Sequence, residues 1–451
     1  MATQYPSVYW NCACLITNSG GGEDEEIIDI DTDDEDDEEE ETKKKKNKTT
    51  NYGKIATAIG TMQQRGILIS PPDINKSSFS FIPDAELNTI VYGIKGINKI
   101  GNELVATIIQ NRPYKSIEDF TNKVKLNKPQ MINLIKSGAF DKFGSSREEI
   151  MENYVGSISD QKKKLTLQNM QMLINFEMLP EFLSQEIKIY NFTKYIRKFK
   201  DGDFYLLDNI AYNFYKNNYD EDELDFINNE DIVARILIKT WDKIYKSEME
   251  TVKNYIKTNH DMLLKNLNKK LMSDTWDKYC TGSISKWEMD SISFYYHEHE
   301  LINVPENVYE IVDFFKLPED PVVDKVIPIK GREIPLYKLH KIVGTVLDKN
   351  KTKNSVSLLT KYGVVQIKIY QAQFAKYDKQ ISMKMPDGKK KVVEKSWFSR
   401  GNKLMFMGIR RGDTFVPKAY KNSVDRDVIQ LITGISEDGF LTLRKERIEV
   451  D

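Results

Sequence analysis

The run Tyr92-Gly93-Ile94-Lys95-Gly96-Ile97-Asn98-Lys99-Ile100-Gly101 leads directly into an apolar stretch, Leu104 to Ile109, with helical spacing. A tight glycine turn delivered into a helix N-terminus has the layout of a helix-hairpin-helix. Such a turn can offer the backbone N–H groups of Gly96, Ile97 and Asn98, together with Lys95 or Lys99, to a phosphate. The helix beginning after Gly101 adds the positive end of its dipole, and Arg112 sits just beyond it. A grip of this kind positions a duplex without reading its bases. The competing reading is a helix-loop-helix whose glycines only cap. Further on, Leu134-Ile135-Lys136-Ser137-Gly138-Ala139-Phe140-Asp141 repeats the texture, so Lys136, Ser137 and Gly138 join the candidates and a pair of hairpins can hold both strands.

Around this centre the chain has 451 residues, 40% hydrophobic and 30% charged, enough for two to four packed domains. Its near-neutral balance conceals an asymmetry. Of the 68 acids, 15 fall between Glu23 and Glu41, where no base occurs, which leaves the remainder with 66 Lys and Arg against 53 Asp and Glu. A basic body carrying one acidic insert points to a polyanionic partner. No apolar stretch is long enough to span a membrane, the first 20 residues lack a basic-then-apolar export pattern, and three cysteines suit a reducing compartment. A cytoplasmic protein is expected, bacterial or in a phage-infected host.

Residues 1–20 and 51–70 read as helices interrupted by the acid run and Lys43 to Lys46, a composition that cannot bury a core and is expected to form a disordered loop over 21–50. Pro71-Pro72 forces an extended segment from Ile69 to Ser77. The hairpin region is assigned to 71–150 and a helical insert to 151–285, on spacings such as Ile232, Ile236 and Ile238. A connector follows over 286–335, then a β-rich end over 336–451. There Ile342–Leu347, Val356–Thr360, Val364–Ile369, a short helix Gln371–Tyr377 and Leu404–Ile409 give three strands, a helix and a strand, the order of an OB-type barrel. The expected class is therefore multidomain α + β: mainly helical for two-thirds, with tandem hairpins, then a barrel.

An OB barrel binds single strands by stacking bases on aromatics and following the backbone with cations. Lys349, Lys351, Lys353, Tyr362, Lys368, Tyr370, Arg410 and Arg411 are placed for that, as are Lys384, Lys389, Lys390, Lys391, Lys395, Trp397 and Arg400 in the loop before Leu404. The alternatives are that these cations merely solubilise a barrel, or that the barrel docks a protein.

Several blocks occur together in one order: Pro71-Pro72-Asp73-Ile74-Asn75-Lys76-Ser77, Gly93 to Ile97, Phe120, and Ser137-Gly138-Ala139-Phe140-Asp141. In this the chain resembles the C-family replicative polymerase, the bacterial DNA polymerase III alpha subunit. Upstream, Tyr5-Pro6 with Tyr9-Trp10-Asn11-Cys12-Ala13 looks like a fingers helix of that family. Downstream, Trp287-Glu288-Met289 with Phe294-Tyr295 and His299-Glu300-Leu301 looks like its Gly-Phe-Tyr-x-x-x-His-Pro-Leu stretch. Asn98 stands where the family usually has a second glycine, and asparagine tolerates positive φ, so the turn is expected to survive; Glu300 stands at the proline. The likeness covers about half of the chain and leaves the acid run and most of 155–280 unmatched.

The resemblance implies a C-terminal part that begins within the fingers. Palm, thumb and the Mg2+-binding carboxylates would then belong to a separate N-terminal polypeptide, as in a split gene, and this chain would grip duplex and template DNA without catalytic residues or a cofactor of its own. It also implies a sliding clamp as a partner, for which Gln171-Met172-Leu173-Ile174-Asn175-Phe176 is a loose match, with Gln171 and Phe176 as anchors; the other reading of that stretch is a simple amphipathic helix.

Other chemistry has less support. Asp29-Ile30-Asp31-Thr32-Asp33 lies in the acid run, and Asp34 stands where a calcium loop needs glycine. Cys12 and Cys14 fall on different faces of a helix. His297, Glu298 and His299 invite a metal-dependent nuclease reading, against which the resemblance makes His299 structural. A stand-alone DNA-binding module remains the third possibility.

Overall fold

The computed structural model describes residues 7–18, 51–227, 231–329, 332–384, 390–420 and 427–448. Tyr5-Pro6, the acid run and Lys389 lie outside these residues, as do the side chains of Lys384 and Lys390. The chain forms two compact units, Met1–Glu152 together with Gly282–Asp451, and Asn153–Thr281.

The first unit opens with the helices Ser7–Ile16 and Tyr52–Gln64. Asn51 caps the second, its side chain accepting from the Lys54 N–H at 3.0 Å. Gly66, at φ 75°, ends it and turns the chain into the short strand Leu68–Ser70. Cys12 is buried and Cys14 exposed, as their spacing on one helix requires. The second hairpin runs from the helix Lys128–Lys136 through Gly138 to Arg147–Ile158. An aromatic chain, Tyr114 to Phe120 at 4.9 Å and Phe120 to Phe140 at 5.1 Å, fills the space beneath.

The barrel closes through five strands. His340–Asn350, Ser355–Thr360 and Gly363–Lys368 form an antiparallel meander. The helix Gln371–Asp378 crosses the end, and Lys403–Arg411 pairs back to the first strand. Thr414–Pro417 then bridges Lys403–Arg411 and, in parallel, Gly363–Lys368. This is the OB order, with a core of Ile342, Val346, Leu358, Ile367, Phe406 and Phe415. Sequence reading finds four of these strands and misses the closing one, whose four residues are too few to show a period. It also misses the hairpin Val323–Ile329 with Arg332–Tyr337 and the pair Ile429–Ile435 with Leu441–Arg444.

The barrel is joined to the N-terminal helices by packing. The helix Tyr52–Gln64 lies on its outer wall, where Ala56 meets Leu347 and Leu359. A Cβ on Gly60 would come within 2.4 Å of Val364, and the Gln64 side-chain amide donates to Tyr362 O at 3.2 Å.

The second unit corrects the expectation of an all-helical insert. Helices Ser184–Ile196, Asn209–Lys216, Ile238–Thr258 and His260–Tyr279 surround a four-stranded antiparallel sheet. Ile232, Ile236 and Ile238, taken as helical spacing, belong to the strand Ile232–Leu237 and the first turn after it. Burial in Phe204–Asp208 and Ile232–Leu237 alternates with the period of two that a one-sided sheet demands. Trp241 anchors the core, packing on Phe192 at 5.0 Å and donating to the Thr193 hydroxyl at 3.2 Å.

Candidate nucleic-acid interface

The first hairpin is a 3-10 turn, Ile94–Gly96, followed by the helix Asn102–Gln110. Its amides are largely spent inside the protein. Gly96 N–H bonds Gly93 O at 3.0 Å, Ile97 N–H bonds Ile94 O at 3.1 Å, and Asn98 N–H bonds Ser291 O at 2.8 Å. Positive φ falls on Lys99, at 66°, rather than on Asn98. Asn98 instead ties the turn to the helix Ile284–Ile292, its side-chain amide donating to Asp290 O at 3.3 Å. Gly96 sits on the Tyr92 ring, where a Cβ would meet Cε1 at 2.7 Å, and the Tyr92 hydroxyl donates to Gly96 O and Ile292 O, each at 2.9 Å. Lys95 is half-buried, reaches Ile100 O at 3.3 Å and has its pKa lowered by burial. What faces solvent is Lys99, Gly101 and the opening of the helix at Asn102 and Glu103, which has no side-chain cap. Glu103 places one negative charge in that first turn.

Arg112 turns inward. Its guanidinium donates to Ile74 O at 2.7 Å and Ser77 O at 2.6 Å, clamping the loop that follows Pro71-Pro72.

The second hairpin is equally committed. Lys136 is buried and pairs with Asp290 at 3.3 Å; Ser137 is fully buried, its hydroxyl donating to Leu134 O at 2.8 Å. Gly138 takes φ 82° against the Arg147 guanidinium, where a Cβ would lie 2.4 Å from Nη2. Arg147 bonds Asp141 through two nitrogens, at 3.2 and 2.6 Å, and Glu288 Oε1 at 3.0 Å. Glu288, fully buried, also accepts from His297 Nδ1 at 2.6 Å and from the Tyr296 and His297 amides at 2.9 Å. Segments about 150 residues apart in sequence, carrying Asp141 and Glu288, thus share one buried network. A buried carboxylate needs this many donors to satisfy its oxygens, and nothing in the spacing of these residues announces it.

His299 is structural. Its Nε2 donates to Leu359 O at 3.0 Å and its Nδ1 accepts from the Leu301 N–H at 3.0 Å, so neither nitrogen is left for a metal. Burial lowers its pKa to about 4. Glu298 is exposed and His297 is held by Glu288, so the three do not converge.

On the barrel the candidates divide. Lys349 pairs with Asp378 at 3.0 Å, the Tyr362 hydroxyl bonds Glu306 at 2.8 and 2.9 Å, and Arg410 stacks on Phe314 while donating to Leu317 O at 2.6 Å. Trp397 is core, and Arg400 lies over the Tyr52 ring. Lys351, Lys353, Lys368, Tyr370 and Arg411 remain exposed, as do Lys391, on the strand Lys390–Glu394 that pairs with Ile381–Lys384, and Lys395 just after it. Lys351 and Lys353 occupy the turn between the first two strands, and Arg411 begins the turn between the last two.

In the second unit, Gln171 is the second residue of a six-residue helix, Met170–Asn175; its side-chain amide donates to Asn175 Oδ1 at 2.8 Å and accepts from Lys194 at 2.8 Å. Phe176 packs against the unit's core. The apolar side of this stretch is thus used internally, as in the amphipathic-helix reading.

Residues 66–150 match the family described as helix-hairpin-helix motif. Over 99% of its length the chain is 41% identical to a probable DNA polymerase, YorL, of Bacillus subtilis and equally to a DNA-directed DNA polymerase of Bacillus phage SPbeta. It spans 34% of each. A further similarity, 33% identity over 123 residues, is to the DNA polymerase III subunit alpha of Campylobacter jejuni, covering 26% of this chain and 10% of that protein. No helix among the described residues is long and apolar enough to cross a membrane.

Proposed function

Because the chain is homologous to the C-terminal part of the DNA polymerase III alpha subunit and, over nearly its whole length, to part of a phage-type DNA polymerase, we propose that it holds duplex and template DNA during DNA synthesis. The observation that carries the reading is the division of labour between the hairpins. The second is locked inward by Arg147 and Glu288, while the first presents Lys99 and the uncapped helix start at Gly101 to solvent. A helix N-terminus flanked by a cation favours a phosphate, and contacts of this sort carry no sequence information. The barrel adds a path for a single strand past Lys351, Lys353, Lys368, Tyr370 and Arg411.

In this reading the chain supplies grip, and nucleotidyl transfer is carried out by a palm whose Mg2+-binding carboxylates lie outside these residues, on an N-terminal polypeptide. Primer extension with the purified chain, alone and mixed with a palm-bearing polypeptide, tests it, alongside duplex binding measured as salt rises. Extension only in the mixture, with Lys99→Glu weakening duplex binding about tenfold and lowering the salt slope by about one, is the expected result. Salt-sensitive binding with no extension in either case would leave a DNA-binding module without a part in synthesis. Absence of duplex binding would overturn the reading.

A further inference from the structure

The 21-residue helix Ile238–Thr258 of the second unit has two opposite faces. Trp241, Met249, Val252 and Ile256 are buried in the core. On the solvent side, positions 239, 243, 246, 250, 253 and 257 follow one another at steps of four and three, which places them on a single stripe. They are Lys239, Lys243, Lys246, Glu250, Lys253 and Lys257.

Five lysines and one glutamate therefore share a stripe roughly 27 Å long at 1.5 Å per residue. Glu250 is answered within it by Lys253 at 2.8 Å. Lys239, Lys243, Lys246 and Lys257 are exposed and, among the described residues, make no ion pair or side-chain hydrogen bond. The helix's other acids have partners: Asp242, three residues from Lys239 and four from Lys246 and so beside the stripe, faces Arg197 at 3.8 Å, and Glu248, on the opposite face, accepts from the Tyr219 hydroxyl at 3.4 Å. Lys246 has Glu250 and Asp242 one turn away, but the lysines still outnumber the acids along this face, and an anion laid along them lowers their mutual repulsion.

The geometry points to a second contact with the phosphate backbone of duplex DNA, made by this lysine stripe and independent of the first hairpin. Successive lysines are about 6, 4.5, 10.5 and 6 Å apart along the axis, so the charge is spread along a line rather than gathered at one point. Single strands are ordinarily held by stacking their bases on aromatic side chains, which this stripe does not offer, so the duplex backbone is the better match. The stripe holds no aromatic or amide side chain, so it takes the backbone and reads no base. The inference rests on the DNA-holding function proposed above.

The test uses the full chain carrying Lys239→Gln, Lys243→Gln, Lys246→Gln and Lys257→Gln together, and a matched chain with arginine at the same four positions. Binding to a short random-sequence duplex, and separately to a single strand, is followed from low to moderate salt. The glutamine variant is expected to keep its melting temperature, to lose at least tenfold in duplex affinity at low salt, and to bind with a salt slope smaller by two to four. The arginine variant is expected to behave as the parent, and single-strand binding to change less. An unchanged duplex slope in the glutamine variant, while Lys99→Glu still weakens binding, would overturn the stripe and leave the DNA-holding function standing. Equal loss on single strands would overturn the assignment to duplex. Absence of binding by the parent chain would overturn the underlying function instead.

Discussion

Two side chains show how much of this unit depends on single atoms. His299 is buried and neutral, with a pKa lowered to about 4 against about 6.5 in an unfolded chain. A histidine whose folded pKa is depressed favours the folded state above its unfolded pKa, and that advantage is lost as pH falls from about 6.5 toward 4, reaching about 3 kcal/mol. Thermal unfolding between pH 7.5 and 4.5 should show a falling midpoint in this window, and His299→Asn, less stable at pH 7.5, should flatten it; a parallel decline in both would exclude His299 as the source. Ser293 takes φ 66° at the end of the helix Ile284–Ile292, and its buried hydroxyl has no partner among the described residues. Ser293→Gly should stabilise by about 1 kcal/mol, since glycine relieves the left-handed backbone and removes the orphaned oxygen, and a lower midpoint would contradict that account. The C-family resemblance located both neighbourhoods by pattern. What each residue does there, a ring nitrogen reaching Leu359 and a backbone turned to positive φ, became visible only in three dimensions.

At the scale of elements, helices and strands with a clear period were legible, and their contacts were not. Ile55, Ile59 and Met62 mark the helix Tyr52–Gln64 from sequence, but its docking on the barrel depends on Gly60 having no side chain opposite Val364. Gly60→Ala should destabilise by about 1–2 kcal/mol, and Val364→Ala in the same chain should return part of the loss. A double-mutant cycle from denaturant unfolding gives the coupling; strict additivity would place the contact elsewhere. The second hairpin teaches the same lesson with opposite sign. Lys136 and Gly138 read as a phosphate grip, but Arg147 and Asp290 claim them, because a hairpin packed beneath another helix has no free face. Truncating Glu288 to Ala leaves Arg147, among the described residues, with only Asp141 as an ion-pair partner in a buried site and should cost about 3–5 kcal/mol, readable as a lowered denaturant midpoint.

For the whole molecule, charge is the property that reaches furthest. Removing Glu23–Glu41 deletes 15 acids and no base, so DNA affinity at low ionic strength should rise several-fold and the gain should fade with added salt. An unchanged affinity at low salt would mean that the acid run does not act on the same field as the DNA surface. This asymmetry, the barrel order, the pair of glycine turns and the polymerase resemblance were determined by the sequence alone. Each is written in local composition or in a period that neighbouring residues reveal. Which cations face solvent, which hairpin is open, and that Asp141, Arg147 and Glu288 form one network were decided only by tertiary structure. A lysine or a glycine turn has the same sequence signature whether it meets water, a carboxylate or a backbone, and only the folded chain chooses among them.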